Sequence, residues 1–116
     1  MSKKIFIVYG HHDTQKSFNA SIRDTFIDEA KKLNHKIDLI NLHEEKPLPF
    51  FNGTGPNDQI LDYRKRLEKS DVLFMISPCY NLRATAILEN WVDLVLAPKW
   101  FFSFKKLVGN WGYPVA

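Results

Sequence analysis

A chain of 116 residues, 45% hydrophobic and 25% charged, describes one soluble globular domain over residues 1–116, long enough to bury a core and too short for two. The net charge of +3 is mild and its basic residues are dispersed apart from Lys99, Lys105 and Lys106, which argues against a nucleic-acid-binding face. No apolar run nears the roughly 18–20 residues of a membrane span, the leading MSKKIFIVYG is too short in its apolar part for a secretory signal, and the single Cys79 leaves no internal disulfide or cysteine metal knuckle, so a cytoplasmic protein is expected.

KIFIVY, Lys4 to Tyr9, is a continuous Ile- and Val-rich run, the pattern of a strand buried on both faces of a parallel sheet, and it stops at Gly10. After the loop HHDTQK, the spacing of Phe18, Ile22, Phe26, Ala30 and Leu33 predicts a first helix, with Ser17 placed to cap it and Asn34 to end it. KIDLINL, Lys36 to Leu42, reads as a second strand, and the prolines and glycines of HEEKPLPFFNGTGPND mark a loop. Asp58 is placed to cap a second helix carrying Ile60, Leu61, Tyr63, Arg64 and Leu67, followed by an apolar strand from Val72 to Ser77 that Pro78 closes. Ala84 to Leu96 repeats Ala84, Ile87, Leu88, Trp91, Val92 and Val95 at helical spacing and ends before Pro98. Strands alternating with helices imply right-handed βαβ units and an α/β fold.

In such sheets ligands sit beyond the carboxyl ends of the strands, where the strand order reverses. Two loops fall there. Gly10 to Asn19 leads from a strand into a helix N-terminus, whose free amides and positive dipole end suit a phosphate, with His11, His12 and Ser17 as side-chain donors. It carries neither GxxxxGK[ST] nor GxGxxG, and the same residues also read as a plain helix cap beside two solvated histidines. Ser77 to Asp93 repeats the arrangement: amides of Cys79 to Leu82 are available to a flat heteroaromatic ring and Tyr80 or Leu82 to its face. The plainer reading makes Pro78 a strand stop and Trp91 a core anchor. KWFFSFKKLVGNW has the basic, aromatic look of a nucleic-acid platform, but no Arg-rich or RRM-like signature accompanies it, and packing or a pocket wall is the favoured reading.

The paired segments YGHHDTQKSFN and SPCYNLRATAILENWVD resemble the flavodoxin-like NAD(P)H quinone reductases, whose usual forms run approximately YAHPxxxSFN and PxYWxxxPAxLKxWxD. PCYN is similar to the matching loop of the FMN-dependent azoreductases. The resemblance implies a three-layer α/β/α flavodoxin-like fold, FMN or FAD as cofactor, NAD(P)H as hydride donor and a quinone-like small-molecule acceptor. It implies that His11 or His12 with Ser17, Phe18 and Asn19 holds the phosphate end of the flavin, and that Pro78, Cys79, Tyr80, Asn81 and Leu82 border its ring. It names no catalytic side chain, because the chemistry belongs to the cofactor, and no metal, nucleic acid or membrane.

Three departures stand out. An extra residue near Gln15 leaves open which histidine is the family's, with His11 favoured because it follows Gly10. Arg83, Thr85 and Glu89 replace a small residue, Pro and Lys, which puts a bulky cation near the pocket rim. The family also runs well past this length, so the resemblance implies the first three strands only of a 2-1-3-4-5 sheet and an open edge on the third. A homodimer is expected, with the aromatic tail of Trp100, Phe101, Phe102, Phe104 and Trp111 folding back over exposed surface as the alternative. A shortened, non-catalytic relative that binds a protein partner is the competing function.

Overall fold

Six residues with no charge beyond Lys4 make Lys4–Tyr9 the centre of the molecule: from Ile5 to Tyr9 every side chain of β1 is buried. In the computed structural model, which describes residues 1–98, 100–108 and 111–115 and gives the stretch past residue 102 by backbone alone, β1 is flanked by two parallel strands. β2 is Lys36–Asn41 and β3 is Val72–Ile76, in the order β2-β1-β3. The register runs from Lys4 opposite Lys36 on one side and from Ile5 opposite Val72 on the other. This is the α/β parallel sheet that the sequence predicts.

Alternation along β1 divides the core. Phe6 and Val8 face two helices, α2 (Asp58–Glu68) and α3 (Ala86–Val95), and pack with Ile60, Tyr63, Leu88, Trp91 and Val95. Ile5, Ile7 and Tyr9 face α1 (Phe18–Lys32), packing with Ala20 and Ala30. Burying these aromatic and branched side chains contributes roughly 1.5–3 kcal/mol apiece. Trp91 is the core anchor expected of it, fully buried against the Phe6 ring at 6.1 Å.

The helices correct the sequence reading in detail. The buried stripe of α1 runs through Ala20, Arg23 and Ala30, so Phe18, Ile22 and Leu33 are exposed and Phe26 half-buried; small residues let the helix approach the sheet, and the larger ones rotate outward. Ser17 caps α1 as expected and Asn34 ends it in the left-handed region at φ 63°. α2 is capped by Asn57, whose side chain accepts the Ile60 amide, and Asp58 is its first residue. Arg64 does not face the core: its guanidinium donates to the Leu94 and Val95 carbonyls and caps the C-terminus of α3, under the Trp100 ring at 5.0 Å. Trp100 therefore folds back on α2; the side chains of Phe104, Lys105, Lys106 and Trp111, and Lys99 entirely, lie outside the described residues. The tail also adds an unforeseen antiparallel pair, β4 (Ser103–Val108) with β5 (Trp111–Val115), separate from the main sheet. Aromatic and β-branched residues supply the strand propensity there.

Arg66 of α2 closes on β2 through a bidentate pair with Asp38 at 2.6 and 3.0 Å. Beside it the Tyr63 hydroxyl donates to Glu45 at 3.0 Å and accepts from Gln59 at 3.2 Å. Burial, and then the Glu45 carboxylate, push the Tyr63 phenol up to about 12 from an ordinary 10.0. Folding thus favours the protonated phenol; its contribution is complete below pH 10 and is lost as pH rises toward 12. Spectrophotometric titration is expected to show one of the four tyrosines ionising last, and Tyr63→Phe is expected to flatten the fall in stability across that alkaline window.

Candidate functional site

Two strand-to-helix loops meet above the carboxyl ends of β1 and β3. Their joint is a hydrogen bond across 75 residues: Thr85 Oγ1 donates to the Gly10 carbonyl at 2.7 Å, and the Gly10 amide donates to the Ile76 carbonyl at 2.8 Å. Thr85 holds the N-cap position of α3 yet makes no side-chain cap, because its hydroxyl is diverted to this joint. Its own amide donates to Ser77 Oγ at 3.0 Å. A Cβ on Gly10 would lie 3.0 Å from both Leu88 Cβ and Thr85 Oγ1, so only glycine lets the strand end approach α3 this closely. Neither Gly10 nor Thr85 stands out in the sequence as a site residue, since a lone Gly and Thr carry no spacing signal.

The first loop is organised by its own side chains. Asp13 Oδ1 accepts the Gln15 and Lys16 amides, both at 2.9 Å, and these bonds hold its carboxyl below the usual range. The Asp13 amide donates to His11 Nδ1 at 2.8 Å, which leaves the His11 proton on Nε2 as a donor. The Tyr9 hydroxyl donates to the Asp13 carbonyl and lies 2.7 Å from Ser17 Oγ, which accepts the Ala20 amide at 3.0 Å. Ser17 is thus a cap and a hub. Beyond it the Phe18 and Asn19 amides, in the first turn of α1, have no carbonyl within the helix to meet and no partner among the described residues. Arg23, buried on α1, braces the loop: it donates to the Thr14 carbonyl at 2.8 Å and to Asn41 at 2.9 Å, with its guanidinium 4.6 Å over the Tyr9 ring.

The two histidines share the place. His11 is half-buried, His12 exposed, and their rings stack at 4.4 Å. His12 meets His43, from the end of β2, edge-on at 6.5 Å. Gly10, His12, His43, Tyr80 and Thr85 line a cavity of about 390 Å³ to which all three strands contribute. Sequence reasoning missed His43, whose only signal is its position after a strand end.

In the second loop, the Tyr80 amide donates to the Arg83 carbonyl and the Arg83 amide to the Tyr80 carbonyl, each at 3.1 Å. Between them Asn81 and Leu82 both take positive φ, 51° and 62°, as a type I′ turn requires. The Tyr80 amide is consumed by this turn and is not free for a ring. Pro78 is half-buried, whereas Cys79, Tyr80, Asn81 and Leu82 are exposed, Leu82 almost completely at 96%. Arg83, the cation expected at the rim, is ion-paired with Glu89 at 2.9 Å. Among the described residues no cluster of His, Cys, Asp or Glu is arranged to hold a metal.

The donor set fits a nucleotide: amides at a helix N-terminus for an anion and an open rim of Pro78 to Leu82 for a flat ring. A family model described as flavodoxin-like fold matches residues 3–114. An FMN-dependent NADH:quinone oxidoreductase from Mycoplasma mobile is 30% identical over 100 residues, 77% of this chain and 48% of that protein. The structure of Smu.1420 from Streptococcus mutans superposes with a TM-score of 0.76 at 29% identity, over 88% of this chain and 57% of the other. An FMN-dependent NADH-azoreductase from Bacillus anthracis, solved with FMN, shares the fold at a TM-score of 0.71 and 15% identity, over 86% and 59% of the two chains. The chain spans about half the length of the curated relatives it matches.

Two substitutions test this geometry in urea unfolding. Thr85→Val keeps the shape and removes the donor to the buried Gly10 carbonyl, with an expected loss of about 1–3 kcal/mol. Leu82→Gly removes an exposed side chain from a left-handed position and is expected to stabilise the ligand-free protein by about 1 kcal/mol.

Proposed function

The chain belongs to the flavodoxin-like family matched over residues 3–114, and from that premise we propose that it is a flavin-dependent NAD(P)H oxidoreductase passing two electrons to a quinone or similar small acceptor. The observation that carries the reading is the strand-end cavity lined by Gly10 and His12 of the first loop and Tyr80 and Thr85 of the second, with the unpartnered Phe18 and Asn19 amides at the helix N-terminus where the first loop ends. Relatives named FMN-dependent and NADH-linked favour FMN over FAD and NADH as donor. The bound flavin supplies the hydride and electron exchange.

The chain's own residues bind and orient. Phe18 and Asn19 amides, with the positive end of the α1 dipole, take the phosphate; His11 offers Nε2–H, and His12 lies against it at the cavity wall. Ser17 serves by holding the helix turn rather than by a free hydroxyl, because Tyr9 and Ala20 already engage it. Tyr80 lines the cavity, and Pro78, Cys79, Asn81 and Leu82 of the same loop are read as bordering the ring. The exposed Phe50, Phe51 and Leu82 are read as the contact through which two copies form a homodimer. A nicotinamide donor suits a cytoplasmic protein, and the reading assigns no nucleic-acid or membrane partner.

Purified protein incubated with FMN and desalted is expected to keep the yellow chromophore and to oxidise NADH once a soluble benzoquinone is added. A colourless protein that leaves NADH untouched overturns the reading.

A further inference from the structure

The strand-end cavity has a neighbour. A second hollow, of about 250 Å³, is walled by Leu42, Pro47, Leu48, Phe50, Ala86 and Ile87. Ala86 and Ile87, in the first turn of α3, line both, so the two cavities share a wall. On the β2 side the sharing continues through chain neighbours: Leu42 lines the apolar hollow and His43 the strand-end cavity.

The hollow is preformed. Protein interiors leave few voids larger than a water molecule, yet this one lies directly against Leu42 and Tyr63, both buried in the core. Its outer wall is stiffened by Pro47 and Pro49, whose rings fix the backbone. That wall is also tied to two helices: Gln59 of α2 donates to the Lys46 carbonyl at 2.7 Å, and Asn90 Nδ2 of α3 reaches the Pro49 carbonyl at 3.4 Å. Phe50, an exposed aromatic, stands at the rim.

The polar groups of the hollow engage one another. The Tyr63 hydroxyl donates to Glu45 and accepts from Gln59. Apart from these, Asn90 and the exposed Lys46, the wall is hydrocarbon. Ligand sites are mostly apolar hollows with a few placed polar groups, and here the apolar part and the polar part are separate cavities side by side. A hydrocarbon chain entering this one gains with each methylene it buries.

We propose that this hollow is a subsite for the side chain of the acceptor: a ring compound held beside Tyr80 in the strand-end cavity passes a short hydrocarbon substituent across Ala86 and Ile87 into it. The protein therefore prefers alkyl-substituted, lipophilic acceptors to bare rings. That the ring is an electron acceptor rests on the proposed activity; where its substituent goes rests on the cavity pair.

Two redox-inert phenols, 4-methylphenol and 4-pentylphenol, report the subsite without turnover. Calorimetric titration of the full chain in the presence of FMN is expected to show the pentyl compound binding about tenfold or more tightly, with NMR shifts at the Leu48, Ile87 and Asn90 amides. Asn90→Phe, which fills the hollow, is expected to abolish this preference while keeping the circular dichroism and melting of the parent. In turnover, KM is expected to fall about tenfold or more from benzoquinone to pentylbenzoquinone in the parent and not in the variant. Equal binding of the two phenols, an undiminished preference in the variant, shifts that miss the hollow, or equal KM for the two quinones each overturns the subsite. Absence of NADH oxidation with both quinones overturns the oxidoreductase reading instead, and the phenols still decide the subsite.

Discussion

The bond from Thr85 Oγ1 to the Gly10 carbonyl holds the site together. It is buried, spans most of the chain, and fixes the end of β1 to the start of α3. The Gly10 amide adds a second tie to Ile76 at the end of β3. Because protein interiors transmit small displacements rather than absorb them, this joint sets where the two loops sit relative to each other, while each loop takes its shape from its own residues. The joint also explains a local anomaly, a threonine at an N-cap position that caps nothing.

β1 shows how far sequence alone reaches. Its boundaries, its burial on both faces and the α/β order follow from one apolar run and the alternation of periods, because a strand with no charged residue after Lys4 has only one place to go. β2 and β3 end one residue earlier than read, at Asn41 and Ile76, and α3 occupies Ala86–Val95 within the wider predicted span. α1 was legible as a helix but not in its orientation. Phe18, Ile22 and Leu33 form a helical stripe by spacing, yet Ala20, Arg23 and Ala30 form another, and only the helix-to-sheet distance decides between them.

The candidate site was legible in the sequence as a pair of strand-end loops, and the structure brings some of the residues named for it together. Topology alone placed it after β1 and β3, and His11, His12, Ser17 and Tyr80 do gather at those strand ends. The remaining members act through positions that spacing cannot reveal. His43 arrives from β2, Arg23 is buried under the loop from the far side of α1, and Gly10 matters for the atom it lacks. Arg64 and Arg66 show the same limit in the core, since a cation that caps a neighbouring helix or pairs across to a strand looks in sequence like any solvated charge.

The two loops reach readiness by opposite means. In the first, Asp13, Ser17, Tyr9 and Arg23 satisfy one another, so the side chains are spent on shape and the helix amides remain for a ligand. In the second, Asn81 and Leu82 hold a left-handed turn at a cost that no contact of the solvent-exposed Leu82 side chain repays within the described residues. Strain of that kind persists where the surroundings over-determine the backbone, and here the Tyr80–Arg83 bonds and the Arg83–Glu89 pair do so. A site that offers backbone geometry rather than titrating side chains leaves the hard chemistry to what it binds. The proposed function accounts in this way for loops that carry turn-forming and capping residues instead of an acid–base constellation, and it rests on their placement at the strand ends more than on any one side chain.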